Sequence, residues 1–469
     1  MTPQKIGLTA LTALVLSSMI GSGIFSLPQN MAEVAGAQAL LIGWLITGIG
    51  IVALGLSFWY LSRLRPDLDG GIYAFARAGF GELVGFFSAW GYWLCATIGV
   101  VGYLVVAFEG VGTFTDTPER ILFGKGNTFI SFIGESAIVW AVYLLASRGV
   151  KQAAGVNLVA TIVKVFPLLL FIALALWYFN GATFAIDFGG AALGTTTLTQ
   201  VKDTMLITLW VFTGVEGAAI LSAHAKKRSD VGLATVVGIL IALALYIAIT
   251  VLALGILPRA DIAALDNPSM AGVLQAMIGT AGKIIISLCL IVSVLASYLS
   301  WILYSMEVPY YGAKYGAFPK ILTVQNARGV PHHSLLFSCL TIQACLLLVR
   351  LTGESYNTLL KISTSMILVP YLLIGAYLLK LAWRERLALR IRITAVLATL
   401  YALWILYAAG IDHLLLAALL YIPGVALFLY AQTRFLGYFP RLRGYEKAIL
   451  LLLAVLLVPA IQQLLHTSG

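Results

Sequence analysis

The stretch Ser17-Ser18-Met19-Ile20-Gly21-Ser22-Gly23-Ile24-Phe25 puts two glycines and three hydroxyls in the middle of an apolar run from about Gly7 to Pro28. A run of this length can cross a bilayer, whose core takes about 20 helical residues. A plain lipid anchor would carry leucine at its centre. If the helix breaks at Gly21–Gly23, a half-helix starting near Ile24 turns its N-terminus into the middle of the membrane. Free amides and the helix dipole there make an anion site suited to a carboxylate, with Ser17, Ser18 and Ser22 adding hydroxyls. A second stretch, Leu209-Trp210-Val211-Phe212-Thr213-Gly214-Val215-Glu216-Gly217, has the same character. Unwinding before Gly214 would release the carbonyls of Trp210 to Thr213, which suit an ammonium group. Together the two breaks would recognise a zwitterion, and Trp210 could cover it as a gate. The blander reading is that the glycines serve close helix packing and Trp210 the core. The neighbouring Ser, Thr and Glu favour the broken-helix reading, because transporters bind substrate at such breaks.

Two ionisable residues lie deep in apolar segments. Glu216 adjoins the second break, and intramembrane carboxylates are costly and usually functional. Lys164, in Thr161-Ile162-Val163-Lys164-Val165-Phe166-Pro167, is 13 residues past Lys151, or about 20 Å of helix. That is too deep for snorkelling. Its ammonium could take the place of a sodium ion on the unwound first helix, or carry a proton during transport. The alternatives are a Glu216 bonded to another helix and a Lys164 that only bridges helices. Lys361 is expected to reach water on the outer side, and Glu307 to be an ordinary solvated charge at the inner end of its span. Trp301 reads as core or pocket wall, and His332 and His333 as surface residues.

The composition dictates what holds these groups. Of 469 residues, 61% are hydrophobic and 10% charged, which excludes a soluble globular domain. The net charge of +10 reads as basic loops holding a polytopic protein in place, not as a nucleic-acid surface. Cys95, Cys289, Cys339 and Cys345 all fall in apolar segments, which argues against disulfides and zinc. No metal, nucleotide or nucleophile motif occurs, and no cofactor is expected. Hydropathy suggests thirteen spans, at about 6–28, 38–62, 83–108, 128–147, 154–178, 204–223, 232–257, 283–306, 334–352, 357–380, 393–410, 412–433 and 447–466. With the N-terminus in the cytoplasm, 21 Lys and Arg fall in inner loops and 5 in outer ones, the bias expected of a correct orientation. The last segment either crosses or lies flat on the membrane.

The interrupted first and sixth spans are five spans apart, so the second five would start in the opposite orientation. This is the signature of an inverted repeat with its site at the interface. The expected units are 1–180, 181–382 and an additional C-terminal region, 383–469.

Ser18-Met19-Ile20-Gly21-Ser22-Gly23-Ile24-Phe25-Ser26-Leu27-Pro28, Gly70-Gly71-Ile72-Tyr73-Ala74-Phe75-Ala76-Arg77 and Trp210-Val211-Phe212-Thr213-Gly214-Val215-Glu216-Gly217-Ala218 resemble the amino acid–polyamine–organocation superfamily. Within it they resemble the basic amino acid/polyamine antiporters. Residues 221–231 and 363–371 are most similar to the arginine–ornithine group. The resemblance implies an all-α polytopic membrane protein of the LeuT-type fold. It would have two five-helix inverted repeats, broken first and sixth helices, and two or three extra C-terminal helices. It further implies that Ser22 and Gly23 hold the carboxylate, that the carbonyls near Trp210 and Thr213 hold the amine, and that Trp301 and Ser363 line the side-chain pocket. Ser18, Ile20, Gly21, Ala96, Val100 and Gly214 would complete the substrate-binding set. Tyr92 and Trp93 would help Trp210 in gating, and Lys164 and Glu216 would serve proton coupling. Val100 stands where arginine–agmatine exchangers carry asparagine. Lys164 matches a lysine of proton-coupled members.

The expected function is exchange of a cationic amino acid, of arginine or lysine type, for ornithine or a related amine. The setting would be a bacterial cytoplasmic (inner) membrane. The alternatives are proton symport through Lys164 and an amino acid sensor. Partners would be small amino acids or amines and the bilayer, with no nucleic acid; the resemblance admits a homodimer.

Overall fold

A computed structural model describes residues 5–467, and the side chains of 150–152, 228 and 463–467 fall outside its description, including the expected inner-loop charges Lys151 and Arg228. In chain order the helices are α1 (Leu8–Met19), α2 (Gly23–Val34), α3 (Ala37–Leu64), α4 (Ile72–Phe80), α5 (Glu82–Thr115) and α6 (Phe129–Ala146). Then come α7 (Val150–Tyr178), α8 (Gly181–Ala185), α9 (Thr197–Phe212), α10 (Gly217–Ile220), α11 (Arg228–Ala253) and α12 (Arg259–Ala263). The chain ends with α13 (Ser269–Ile278), α14 (Thr280–Lys314), α15 (His332–Thr352), α16 (Tyr356–Arg384), α17 (Leu389–Leu436) and α18 (Gly444–Thr467). Among the described residues the only extended pairings are two isolated bridges, Ile6 with Ala225 and Thr117 with Arg120.

Eleven of these segments, counting α1 and α2 as one, are long and apolar enough to cross a membrane. The 48-residue α17 holds two expected spans that meet at Gly410, whose φ of 77° and ψ of 170° break the helical path. The sixth expected span is divided between α9 and α10. The helices α12 and α13 lie outside every expected span. They are five and ten residues long, too short for a window set by bilayer thickness.

The membrane-facing side of the bundle is written into single helices. On α7, Ile162 and Phe166 are 67% and 70% exposed, while Lys164 between them is 0% exposed. Asn157, Thr161, Lys164, Leu168 and Phe171 are all buried. Their spacing of three or four puts them on one face at 3.6 residues per turn. The opposite, apolar face has no protein to cover it, as expected beside lipid.

α14 and α16 each pack along α5, and α1 and α10 pack together, as do α2 and α9. The first broken segment starts where the second ends: Ile6 N donates to His224 O at 2.8 Å, and Lys226 N donates to Ile6 O at 2.8 Å. The two segments therefore run antiparallel, and their shared end is called here the N-terminal face. At the opposite face Arg259 donates to Asp187 at 2.7 Å and to the Ala32 carbonyl in the last turn of α2 at 2.8 Å. A cation there suits the negative end of the helix dipole. α17 packs on α3 and α16, and α18 on α17, at the edge of the bundle.

Candidate functional site

The first break spans Ile20 to Ser22. Ile20 leaves the helical path with ψ of 72°, and α2 restarts at Gly23. Its first amides have no intrahelical acceptor. Ser22 occupies the N-cap position without capping; its hydroxyl instead bonds Tyr356 Oη at 2.9 Å. Gly23 is required by a close approach: a Cβ there would lie 2.9 Å from Val211 Cγ1 and 3.0 Å from Trp210 Cδ1 and Nε1. The start of α2 thus lies against the side chains of Trp210 and Val211 on α9.

The carbonyls released by this break are bound from behind. Lys164 Nζ lies 2.9 Å from Ser17 O, 2.8 Å from Ser17 Oγ, 2.7 Å from Ile20 O and 3.1 Å from Ser297 Oγ. Ser297 donates to Ser17 O at 2.7 Å and to Ile20 O at 3.0 Å, and Ser293 to Ile20 O at 3.0 Å. Asn157, on the inward face of α7, reaches Ser17 Oγ at 3.1 Å and Ala296 O at 2.6 Å. The Lys164 amine is thus ringed by oxygens from the last turn of α1, the first break and α14.

The second break runs from Thr213 to Glu216, and Gly214 has φ of 110°, a region open to glycine alone at little cost. Its carbonyls are less free than the sequence implies. Trp210 O accepts from Thr213 N at 3.1 Å and from the Thr213 hydroxyl at 2.6 Å. Phe212 O accepts from Val215 N at 3.2 Å, and Val211 O from Tyr246 Oη at 2.8 Å. Of the four, only the Thr213 carbonyl is left unused by these bonds. Glu216, fully buried, accepts from Gly214 N at 3.1 Å and from Tyr371 Oη at 2.6 Å. The breaks touch each other, since Ser18 Oγ donates to Gly214 O at 3.2 Å.

Aromatic side chains close over this junction. Trp210 Nε1 donates to Tyr356 Oη at 3.3 Å, and the Trp210 ring meets Tyr103 edge-on with centroids 5.9 Å apart. Trp301 Nε1 donates to Ser18 O at 3.1 Å, and Tyr92 stacks on Trp301 at 6.0 Å. Ser363 donates to Cys95 O at 2.7 Å, and Gly99 lies between Ser363 and Trp210. Ala96 and Val100 are buried on α5, at spacings of four from Tyr92 and from each other, which keeps them on that helix's site face.

The structure therefore gathers Ser18, Ile20, Gly21, Ser22, Gly23, Tyr92, Trp210, Thr213, Gly214, Trp301 and Ser363, with Lys164 behind one break and Glu216 on the other. Trp93 is not in this group. It stacks on Phe337 of α15 at 4.5 Å and donates to Ser338 at 3.0 Å. Adjacent helical residues point about 100° apart, so Tyr92 and Trp93 cannot share a face. Tyr103, Tyr356 and Tyr371 are the site residues that sequence reasoning missed. Each is one of two or three tyrosines in a long apolar helix, and nothing in its neighbours marks it out. Glu307, expected to be solvated, is 1% exposed and lies 2.8 Å from His224 Nε2. His332 and His333, expected on the surface, are half-buried, with ring centroids 4.2 Å apart and planes tilted by 39°. Lys361 is exposed, as expected.

The sequence model described as amino acid permease matches residues 6–442. The chain is 54% identical over 429 residues to a putative arginine/ornithine antiporter of Escherichia coli (strain K12), with 92% of each chain covered. It is 43% identical over 462 residues to an arginine/ornithine antiporter of Pseudomonas aeruginosa, covering 95% of this chain and 94% of the relative. It is 39% identical over 447 residues to an arginine/agmatine antiporter of Chlamydia felis, covering 92% and 91%.

Proposed function

The chain belongs to the amino acid permease family, and from that premise we propose that it exchanges a cationic amino acid, of arginine or lysine type, for ornithine or a related amine by alternating access. The observation that carries this reading is the pair of opposed breaks meeting at Ser18 and Gly214. The amides from Ser22 and Gly23 take the substrate carboxylate, and the Thr213 carbonyl takes the α-ammonium. The side chain extends towards Trp301, Ser363, Ala96 and Val100. Trp210 and Tyr356 close the path on one side and Tyr92 with Trp301 on the other. The names of the relatives support exchange of arginine against ornithine or agmatine.

The protein is an integral membrane transporter. In this reading it sits in a bacterial inner membrane with the N-terminal face in the cytoplasm, an orientation supported by the bias of 21 inner against 5 outer basic residues. Residues 1–180 and 181–382 form the two inverted units, with 383–469 added at the edge. Its partners are small amino acids or amines and the bilayer.

Purified protein in vesicles loaded with ornithine, given labelled L-arginine outside, tests the reading. Uptake that needs internal ornithine and ignores a pH gradient is expected. A second reading, proton symport, is favoured by the Lys164 ammonium seated on the carbonyls of Ser17 and Ile20. Accumulation by ornithine-free vesicles on external acidification would replace exchange with that reading.

A further inference from the structure

At the N-terminal face the end of α3, the corner between α4 and α5, the end of α14 and the junction of α17 with α18 line a cavity of about 1180 Å³. Pockets for small ligands run to about 1,000 Å³, so there is room for more than a single ion. We propose that this cavity binds a phosphate-bearing anion, a free nucleotide or the headgroup of an anionic phospholipid, and that its occupant restrains opening of the N-terminal face. Binding there does not depend on the exchange reading above; the restraint rests on it.

The basic side chains of the lining are Arg65, Arg77, Arg441 and Arg443, four arginines and no lysine. Basic residues are ordinary on an inner face, but these converge on one concavity. The planar guanidinium fork matches two oxygens of a phosphate, which an ammonium does not. Two of the four are already matched by carboxylates. Arg65 donates to both oxygens of Asp67, at 2.9 and 2.7 Å, and Arg77 Nε lies 2.8 Å from each oxygen of Glu82. The other two are uncommitted. Arg443 donates to a neutral acceptor, Tyr445 Oη at 3.2 Å, and Arg441 has no hydrogen bond or ion pair among the described residues. Glu446, the second carboxylate of the lining, is buried and accepts from the main-chain amide of Arg443 at 2.7 Å. Tyr315 lies under the Arg77 guanidinium at 4.3 Å, and Tyr438 and Phe439 are more than half exposed. Exposed rings beside arginines suit both sources of phosphate, stacking on a base or entering the interface beside a headgroup.

The place of the cavity gives its occupant an effect. The start of α4 lies on the main chain of α10, since a Cβ at Gly71 would come within 2.9 Å of Ala219 C and Ile220 N. The far end of α4 already meets the C-terminal region, where Tyr445 Oη donates to Phe80 O at 2.8 Å. An anion held by Arg441 and Arg443 beside Arg77 adds a second tie at this corner. Through α4 it steadies α10, the half of the second broken segment that reaches the N-terminal face.

ADP and phosphatidylglycerol are the probes. Equilibrium dialysis of the purified full chain with labelled ADP tests the free source. Mass spectrometry of the intact protein released from phosphatidylethanolamine nanodiscs, with and without phosphatidylglycerol, tests the lipid source. One equivalent of at least one probe is expected on the parent. Arg441→Gln with Arg443→Gln should weaken its binding about tenfold or more, the loss expected when charge-assisted hydrogen bonds disappear. Arg441→Gln alone should weaken it less, and it removes no bond of the fold. Arg434→Gln, in the last turn of α17 but outside the lining, should bind as the parent does. No bound equivalent of either probe, no weakening in either variant, or equal weakening in Arg434→Gln overturns the site. In vesicles the bound probe should slow arginine–ornithine exchange several-fold in the parent and leave the double variant unaffected; binding with an unchanged rate removes the restraint and keeps the site. A parent that binds a probe but exchanges neither amino acid removes the exchange reading alone.

Discussion

Gly23→Ala is a direct test of how closely the two broken segments must approach. The new Cβ would sit 2.9 Å from Val211 Cγ1 and 3.0 Å from two atoms of the Trp210 ring. Carbon atoms pack best at about 3.5–4.0 Å, so α2 and α9 must part by at least about half an ångström. Overpacking of this kind typically costs about 1–3 kcal/mol. Under the proposed exchange most of that energy would be lost from substrate binding, because the strained contact lies between the two segments proposed to hold the substrate. At about 1.4 kcal/mol per factor of ten, the KM for L-arginine exchange should rise about 5- to 150-fold. The assay is counterflow in ornithine-loaded vesicles, with thermal stability of the purified protein measured in parallel. Gly7→Ala is the control, since its new Cβ would meet only Lys226 Cδ at an ordinary 3.8 Å. A Gly23→Ala protein whose KM stays within twofold of the parent would refute the reasoning, since the breaks would then not be spaced for a ligand.

Three further outcomes follow from the same geometry. Lys164→Ala removes the cation seated on Ser17 and Ile20 and should abolish or uncouple transport; parental rates with a parental pH response would remove the role given to Lys164. Tyr356→Phe deletes the hydroxyl shared by Ser22 and Trp210; at about 0.5–1.5 kcal/mol per hydrogen bond, exchange should slow several-fold, and an unchanged rate would show that this link does not hold the closure. His224 lies on the N-terminal face outside the spans, where burial disfavours its charged form but the Glu307 carboxylate 2.8 Å away outweighs burial, so its pKa is raised above 6.5. The stabilisation is complete below the ordinary histidine value and is lost as pH rises through the raised one; the parent should therefore lose thermal stability on going from pH 6 to pH 9 by more than His224→Asn does, and parallel pH profiles would contradict the pairing.

What the sequence discloses and what it withholds divide along a physical line. The breaks at Gly21–Gly23 and Gly214–Gly217 are legible because each is a local event, glycines and hydroxyls where continuous helix would want leucine. Lys164 is legible because its depth can be counted from Lys151. The eleven long apolar helices are legible from apolar length alone, and even the kink in α17 falls where two expected spans meet at Gly410. Contacts between distant helices are another matter. Nothing near Tyr356 announces that its hydroxyl will reach Ser22, 334 residues away. Ser293 and Ser297 look like ordinary serines of a membrane helix until α14 packs behind the first break. The carbonyl of Val211 reads as free because its donor, Tyr246, belongs to another helix. Glu307 reads as solvated because its cover, His224, comes from the end of the other broken segment. Helical rotation, which separates Tyr92 from Trp93, could have been applied beforehand.

The pairing of Ile6 with Ala225 ties the entrance of one interrupted segment to the exit of the other through main-chain bonds at 2.8 Å. A tie of this sort transmits movement. In the proposed exchange, opening of that face would carry the half-helices α1 and α10 as a single lever, with the flexing taken up at the unwound residues. The places proposed to grip the cargo would then also be the pivots, so that gripping and swinging are one motion.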